Sequence, residues 1–187
     1  PASGFVNATT ANSLVNYATT SAGVTLNAAV YASGNITING ASNSNRGIDD
    51  SVDITSTNGN VTLNGATVAT IGVYVTAANT VTGNNITING TSTAAPSWVT
   101  QISAMTINST SVGGSIVVTG NVIGIPGAAG GIYQVGNISG ASGSSISFIS
   151  NNNINQGGAI TLAANTSTNS SNISYDATAG NKLSSII

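Results

Sequence analysis

Three stretches of the chain repeat one short string: Gly34-Asn35-Ile36-Thr37-Ile38-Asn39-Gly40, Gly59-Asn60-Val61-Thr62-Leu63-Asn64-Gly65 and Asn84-Asn85-Ile86-Thr87-Ile88-Asn89-Gly90. They align without gaps, and each copy starts 25 residues after the one before it. The apolar–polar–apolar core of each copy is typical of a β-strand with one buried face. In this pattern Ile36 and Ile38 point inward, whereas Asn35 and Asn39 point outward.

A strand of this length buries little apolar surface alone, but identical strands stacked about 4.8 Å apart form one continuous apolar column. The sequence therefore predicts an all-β fold, a parallel β-helix or solenoid with coils of roughly 25 residues. Coils of this size make about seven turns and a rod on the order of 35 Å long. The Gly and Asn residues that flank each copy are interpreted as corner residues with positive φ. An antiparallel β-sandwich, whose turns also recur regularly, is the alternative.

The repeats define a single β-rich domain over residues 1–187, regular from about 20 to 125 and looser from about 126 to 187. Looser copies include Gly114–Gly120 and Gly158–Ala163. The segment Ala94–Trp98 is predicted to add a loop of about five residues that leaves Trp98 on the rod surface. A second loop is expected at Pro126–Gly131. One short helical turn is considered at Ala11–Ala18, behind Thr10.

The composition excludes many functions. The 187 residues include 2 Lys or Arg, 4 Asp or Glu, and no His or Cys, so common general bases, thiolate nucleophiles and soft metal ligands are missing. Two cationic residues cannot form the basic stripe that nucleic acids require, so no nucleic-acid partner is expected. No apolar run reaches the roughly 20 residues of a membrane span, so none is expected. No cofactor is expected.

The Gly-Asn-Ile-Thr-Ile-Asn-Gly repeat resembles the shaft regions of filamentous-haemagglutinin-like adhesins, which are large bacterial exoproteins with parallel β-helices. The resemblance covers roughly residues 20–175 and rests on repeat style and composition. The Asn-Pro-Asn-Gly-type motif of the secretion domains of that family is absent. The resemblance therefore implies a shaft segment, and it implies reach and adhesion as the function.

The segment Arg46–Ile54 contains the only acidic cluster, Asp49, Asp50 and Asp53. Paired carboxylates serve β-helical glycoside hydrolases, and oxygen-rich turns bind Ca²⁺, so these residues are the candidate metal ligands and the only catalytic candidates. The simpler interpretation is a solvated turn in which Arg46 contacts an acidic neighbour. We expect no enzymatic activity.

The outward Asn and Thr residues of the three copies predict a polar ladder, in which stacked Asn side chains hydrogen-bond along the rod axis. Such a face could instead bind a repetitive surface such as ice or a polysaccharide, although a single Thr row argues against ice. Asn35, Asn60 and Asn85 also begin Asn-x-Thr sequences and are candidate glycosylation sites.

Two functional hypotheses follow. In the first, the chain is a β-helical shaft of an extracellular or cell-surface adhesin that acts in adhesion and biofilm formation, with surface glycans as partners. In the second, it is a self-polymerising, pilus-like filament subunit that associates along the fibre axis by end stacking or strand donation and carries N-glycans. The absence of a polar cap at either end, with apolar residues at 186–187, fits both hypotheses.

Overall fold

The computed structural model describes residues 6–8, 15–18, 22–76, 79–94, 96, 98–103, 106–123, 130–162, 172–177 and 183–185. These residues form 21 β-strands, numbered β1–β21 in chain order. None of the described residues lies in a helix, so this part of the chain offers no helix long and apolar enough to cross a membrane.

The strands form three sheets of seven strands, named sheets A, B and C. Sheet A contains β1 (Val6–Ala8), β4 (Val30–Ala32), β7 (Ile54–Ser56), β10 (Thr80–Gly83), β13 (Thr106–Ser109), β16 (Ile138–Gly140) and β19 (Ile160–Leu162). Sheet B contains β2 (Val15–Ala18), β5 (Ile36–Ser42), β8 (Val61–Thr67), β11 (Ile86–Ser92), β14 (Ser115–Val122), β17 (Ser145–Ser150) and β20 (Asn172–Ala177). Sheet C contains β3 (Val24–Leu26), β6 (Ile48–Asp50), β9 (Val73–Val75), β12 (Trp98–Ile102), β15 (Gly130–Gln134), β18 (Asn153–Gln156) and β21 (Leu183–Ser185).

The chain visits sheets A, B and C in turn, and each strand pairs in parallel with the strand three positions later. One circuit of three strands is one coil of a parallel β-helix, and seven coils are present. The predicted solenoid is therefore confirmed. The antiparallel β-sandwich is wrong, because every pairing between the 21 strands is parallel and one isolated bridge, Ala22 with Ser42, is the antiparallel exception in the described residues.

The coil length is constant only where the sequence repeats. Ile36 pairs with Val61 and Val61 with Ile86, a step of 25 residues each time, whereas Ile86 pairs with Ile116 and Ile116 with Ile146, a step of 30. The loop before Trp98 accounts for only two of the extra residues in the first longer coil, because Val73 pairs with Thr100. Most of the remainder lies at the corner between β13 and β14. The predicted five-residue insertion at Ala94–Trp98 is therefore wrong.

Two local predictions also need correction. Val15–Ala18 forms strand β2, so the helical turn considered at Ala11–Ala18 is wrong over this stretch, and its other residues lie outside the described part. The loop predicted at Pro126–Gly131 falls largely on residues 124–129, outside the described part, and Gly130 and Gly131 already belong to β15.

The core is a set of apolar columns that run along the rod. In sheet B one column contains Ile36, Val61, Ile86, Ile116 and Ile146, all with no exposed surface. Strand alternation places these side chains inside, as the repeat predicts. Burial of one such side chain contributes about 1.5–3 kcal/mol, so the columns supply most of the cohesion of a chain that has no disulfide.

The glycines of the repeat have a different role from the predicted one. Gly40, Gly65 and Gly90 lie inside seven-residue strands and face inward, and among the described glycines a positive φ occurs only at Gly23, Gly113 and Gly143. A Cβ atom built on Gly65 would lie 2.0 Å from the carbonyl oxygen of Gly72. Glycine is needed here because the backbone of sheet B approaches the chain that leads into sheet C too closely for a side chain.

Candidate functional site

The outer face of sheet B carries a ladder of asparagine side chains, as predicted. Nδ2 of Asn64 donates to Oδ1 of Asn39 over 2.8 Å, and Nδ2 of Asn89 donates to Oδ1 of Asn64 over the same distance. Thr119 continues the row, because its hydroxyl donates to Oδ1 of Asn89 over 2.7 Å. Asn64 and Asn89 are thus both donors and acceptors, so copies of the same repeated residue in successive coils bond to one another.

A second ladder runs along the corner where sheet B begins. Oδ1 of Asn35 accepts the backbone N–H of Asn60 over 2.9 Å, and Oδ1 of Asn60 accepts Nδ2 of Asn85 over 2.9 Å. Oδ1 of Asn85 in turn accepts the backbone N–H of Ser115 over 2.9 Å. At this corner the Asn side chains add to backbone hydrogen bonds between the coils, such as the one from the N–H of Ile36 to the carbonyl of Asn60 over 2.8 Å.

These same residues are the glycosylation candidates. Asn35 and Asn60 are exposed and Asn85 is half-buried, but the amide nitrogen of Asn85, to which a glycan would be attached, is engaged in the ladder. Glycans on neighbouring coils would also leave the rod only about 4.8 Å apart. The geometry disfavours sugars on all three residues together, and glycosylation here stays a prediction.

The acidic cluster is divided between the two faces of sheet C. Asp49 and Asp50 are consecutive residues of β6, so Asp49 points outward and Asp50 points into the core. Asp49 Oδ2 accepts a hydrogen bond from Nη1 of Arg46 over 2.7 Å, which is the contact expected between Arg46 and an acidic neighbour. The expected turn is instead a strand.

Asp50 is fully buried, and burial raises the pKa of its carboxyl group from 3.8 to about 7. The backbone N–H of Val52 donates to Oδ1 over 3.2 Å and lowers this pKa, whereas the nearby charges of Asp49 and Asp53 raise it further. Oδ2 has no hydrogen-bond partner. A carboxyl group in this position is protonated at mildly acidic pH and is costly to ionise at higher pH.

Asp53 has a third environment, because its Oδ1 accepts the backbone N–H of Thr80 over 2.8 Å. No group of three His, Cys, Asp or Glu side chains among the described residues could hold a metal ion. The structure therefore does not bring Asp49, Asp50 and Asp53 together as calcium ligands, and Asp49 and Asp50 point to opposite faces of sheet C rather than into a common cleft.

The Arg46 side chain makes a cation–π contact that the sequence did not predict. Its guanidinium carbon lies 3.8 Å from the ring centroid of Tyr74, which follows Asp49 on the outer face of the next coil. Cation–π contact and the ion pair hold Arg46 from two directions. Beside it opens a cleft of about 780 Å³, called here the Arg46 cleft and lined by residues that include Ala22, Thr25, Asn45, Arg46, Asp49 and Thr70.

Trp98 is also placed differently from its prediction. It begins strand β12, is half-buried, and stacks on Tyr133 of the next coil with ring centroids 5.2 Å apart and an interplanar angle of 29°. The loop assignment is therefore wrong, although the ring does lie on the outside of the rod. Trp98 is therefore engaged by another residue of its own chain.

Tyr74 and Tyr133 are the site residues that sequence reasoning missed. They occupy the same outward row as Asp49 and Gln101, in the register Asp49–Tyr74–Gln101–Tyr133. The available signal was the position of Tyr74, which stands 25 residues after Asp49, the repeat length.

No family model, no curated protein and no solved structure matches this chain. The resemblance to adhesin shafts therefore rests on repeat style and composition.

Proposed function

We propose that this chain is a non-enzymatic structural segment of a secreted or cell-surface fibre, a β-helical shaft that acts in adhesion and biofilm formation. The observation that supports it best is the parallel stacking of all three sheets over seven coils. In a solenoid of this kind each coil contacts only the coils next to it. The rod can therefore be lengthened by adding coils, because no new core is needed.

The surface supports the same proposal. The Asn ladders connect the coils that carry the three copies of the repeat, so the repeated residue contributes to cohesion. With 3% charged residues, the chain presents mainly amide and hydroxyl groups to its surroundings. These features suit an inert spacer outside the cell that holds an adhesive surface at a distance.

A second candidate is a self-polymerising filament subunit. In the described residues the first strands of the three sheets, β1–β3, and the last, β19–β21, each pair with one neighbour, and all strands of a sheet run in one direction. The last coil of one copy could therefore pair with the first coil of another by repeating the same parallel arrangement. N-glycans on the sides of such a filament would leave its ends open to stacking.

Electron microscopy of the native material, combined with the mass of the intact denatured chain, tests both candidates. Thin rods made by a chain many times heavier than 18.2 kDa support the shaft. Long filaments built from a chain of about 18.2 kDa, with or without sugar mass, support the filament subunit. Compact particles that form no rods would contradict both.

A further inference from the structure

The Arg46 cleft exists because two successive coils carry side chains of different size at equivalent positions. Val24 pairs with Ile48 in sheet C, so Thr25 lies beside Asp49, and Ala22 holds the position that corresponds to Arg46. The small side chains of the earlier coil leave space next to the larger ones. Arg46 meanwhile contacts Tyr74, one coil further along the rod, and so leaves this space open.

The polar groups at the cleft are already fixed in place. Nη1 of Arg46 and Oδ2 of Asp49 are 2.7 Å apart, and the two side chains remain 38% and 32% exposed. Their pairing uses one guanidinium nitrogen and one carboxylate oxygen, so each group has further hydrogen-bonding capacity. Because Tyr74 and Asp49 immobilise Arg46 in advance, a ligand that binds here pays little additional side-chain entropy.

The charges indicate which ligands fit. The ion pair is neutral as a whole, and the net charge of −2 disfavours an anion. A metal ion is disfavoured because the described residues provide no group of three ligands. A hydroxyl group both donates and accepts hydrogen bonds, so adjacent hydroxyls can accept from Arg46 and donate to Asp49. Thr25 and Asn45 supply additional neutral polar groups, and Ala22 supplies apolar surface.

We propose that the Arg46 cleft binds a neutral pyranose unit of a glycan or polysaccharide, with Asp49 accepting from and Arg46 donating to neighbouring sugar hydroxyls. The cleft volume of about 780 Å³ lies within the range of about 300–1,000 Å³ that small-molecule sites occupy. This assigns a ligand class to the proposed adhesive role and in that sense rests on it, but the two can be tested separately.

The test is saturation-transfer difference NMR with the full chain and a panel of free neutral monosaccharides: glucose, galactose, mannose, fucose and N-acetylglucosamine. Glucuronate serves as the anionic comparison. We expect saturation transfer to at least one neutral sugar and none to glucuronate. Two variants locate the site: Thr25→Tyr fills the cleft from an exposed position, and Asp49→Asn keeps the side-chain size but removes the charged acceptor.

Thr25→Tyr is expected to abolish the signal, and Asp49→Asn to weaken the affinity about tenfold, the usual loss for a hydrogen bond to a charged group. Thr55→Tyr, the same substitution on the outer face of sheet A, is the matched control and should bind like the wild type. Circular dichroism of each variant confirms that it is folded.

Binding that persists in Thr25→Tyr, binding of glucuronate alone, or no binding to any sugar of the panel would overturn the proposal. Rods seen by electron microscopy without sugar binding would remove this inference and leave the proposed shaft intact. Sugar binding by a chain that forms no rods would support the cleft and remove the shaft.

Discussion

Sheets B and C belong to the same coils but differ in how strictly they repeat. In sheet B, strands β5, β8 and β11 each have seven residues and pair without a register shift. In sheet C the strands have three to five residues, and the pairing of β15 with β18 is irregular. The outward row of sheet C also changes at each step, from Asp49 to Tyr74 to Gln101.

The difference shows what preserves a repeat. In sheet B each outward Asn bonds to another Asn, and each inward Gly packs closely against backbone, so a change in one coil affects its neighbours. In sheet C the outward contacts are individual pairs, such as Arg46 with Tyr74 and Trp98 with Tyr133. Cohesion resides in the uniform sheet, and the distinctive chemistry of the molecule resides in the variable one.

The largest expected effect is that of Gly65→Ala in sheet B. The new Cβ would lie 2.0 Å from the oxygen and 2.6 Å from the carbon of the Gly72 carbonyl, and backbone at this point cannot move without disturbing two sheets. We expect a loss of about 4 kcal/mol or more in the free energy of unfolding, measured by urea denaturation.

Two further variants sharpen this result. Gly90→Ala should cost less, because its nearest obstacle is the side-chain hydroxyl of Thr100 at 2.1 Å, and the nearest backbone atom, the carbonyl oxygen of Val99, lies further away at 2.9 Å. Ala66→Ser, on the exposed outer face next to Gly65, should change stability by no more than about 0.5 kcal/mol. Equal stability of Gly65→Ala and Ala66→Ser would show that the two backbones are not in close contact.

The next effect concerns the interior of sheet C. The pKa of the Asp50 carboxyl group is about 7 in the folded protein, compared with its ordinary value of 3.8. As the pH rises, Asp50 therefore loses its proton at a lower pH in the unfolded chain than in the folded protein. Stability should therefore fall between pH 4 and pH 7 and stay level above, with a total loss of about 4 kcal/mol at most.

Asp50→Asn removes this titration. At pH 8 we expect it to stabilise the protein by about 3 kcal/mol, slightly less than the full penalty because the amide buries an additional N–H group. At pH 4 the variant and the wild type should be nearly equal. Asp176→Asn, at an exposed position of sheet B, is the control, and an equal pH effect in both variants would argue against Asp50 as the source.

A smaller effect is expected for the Asn ladder. Asn64→Ala removes one hydrogen bond to Asn39 and one from Asn89, so the free energy of unfolding should fall by about 1.5 kcal/mol. Thr62→Ala, two residues earlier on the same outer face, should cost about 0.5 kcal/mol. If both variants lose the same amount, the ladder contributes nothing beyond ordinary surface contacts.

The smallest effect is expected for the Arg46–Asp49 pair. Both side chains are about one-third exposed, so a double-mutant cycle with Arg46→Ala and Asp49→Ala should give a coupling energy of at most about 1 kcal/mol. The coupling should decrease as salt is added. A larger, salt-independent value would mean that the pair contributes to stability as well as to the chemistry of the cleft.

Much of the fold was predictable because the repeat itself specifies it. The inward positions of Ile36 and Ile38, the parallel stacking and the Asn ladder all follow from alternation and a period of 25. The role of Gly40 was missed because Asn-Gly suggests a turn. The signal against a turn was alternation: Ile36, Ile38, Gly40 and Ser42 fall in one phase.

The candidate site was less predictable. Consecutive acidic residues in one strand must face opposite sides, so the burial of either Asp49 or Asp50 could have been anticipated. Which of them turns inward depends on the register of Ile48, and that is set by its pairing with Val24 and Val73. The Arg46 cleft depends on differences in side-chain size between coils, which no single copy of the repeat shows.

The parallel coils described above have a mechanical consequence. A coil of 25 residues adds about 4.8 Å to the length of the rod, but the same residues span about 85 Å when drawn out straight. Backbone hydrogen bonds between coils lie along the axis, so tension on the chain peels one coil at a time rather than shearing the whole rod. Each coil that unfolds under tension becomes many times longer than it was in the rod, while the remaining coils stay folded. A short rod of this kind can therefore extend to a much greater length without unfolding completely.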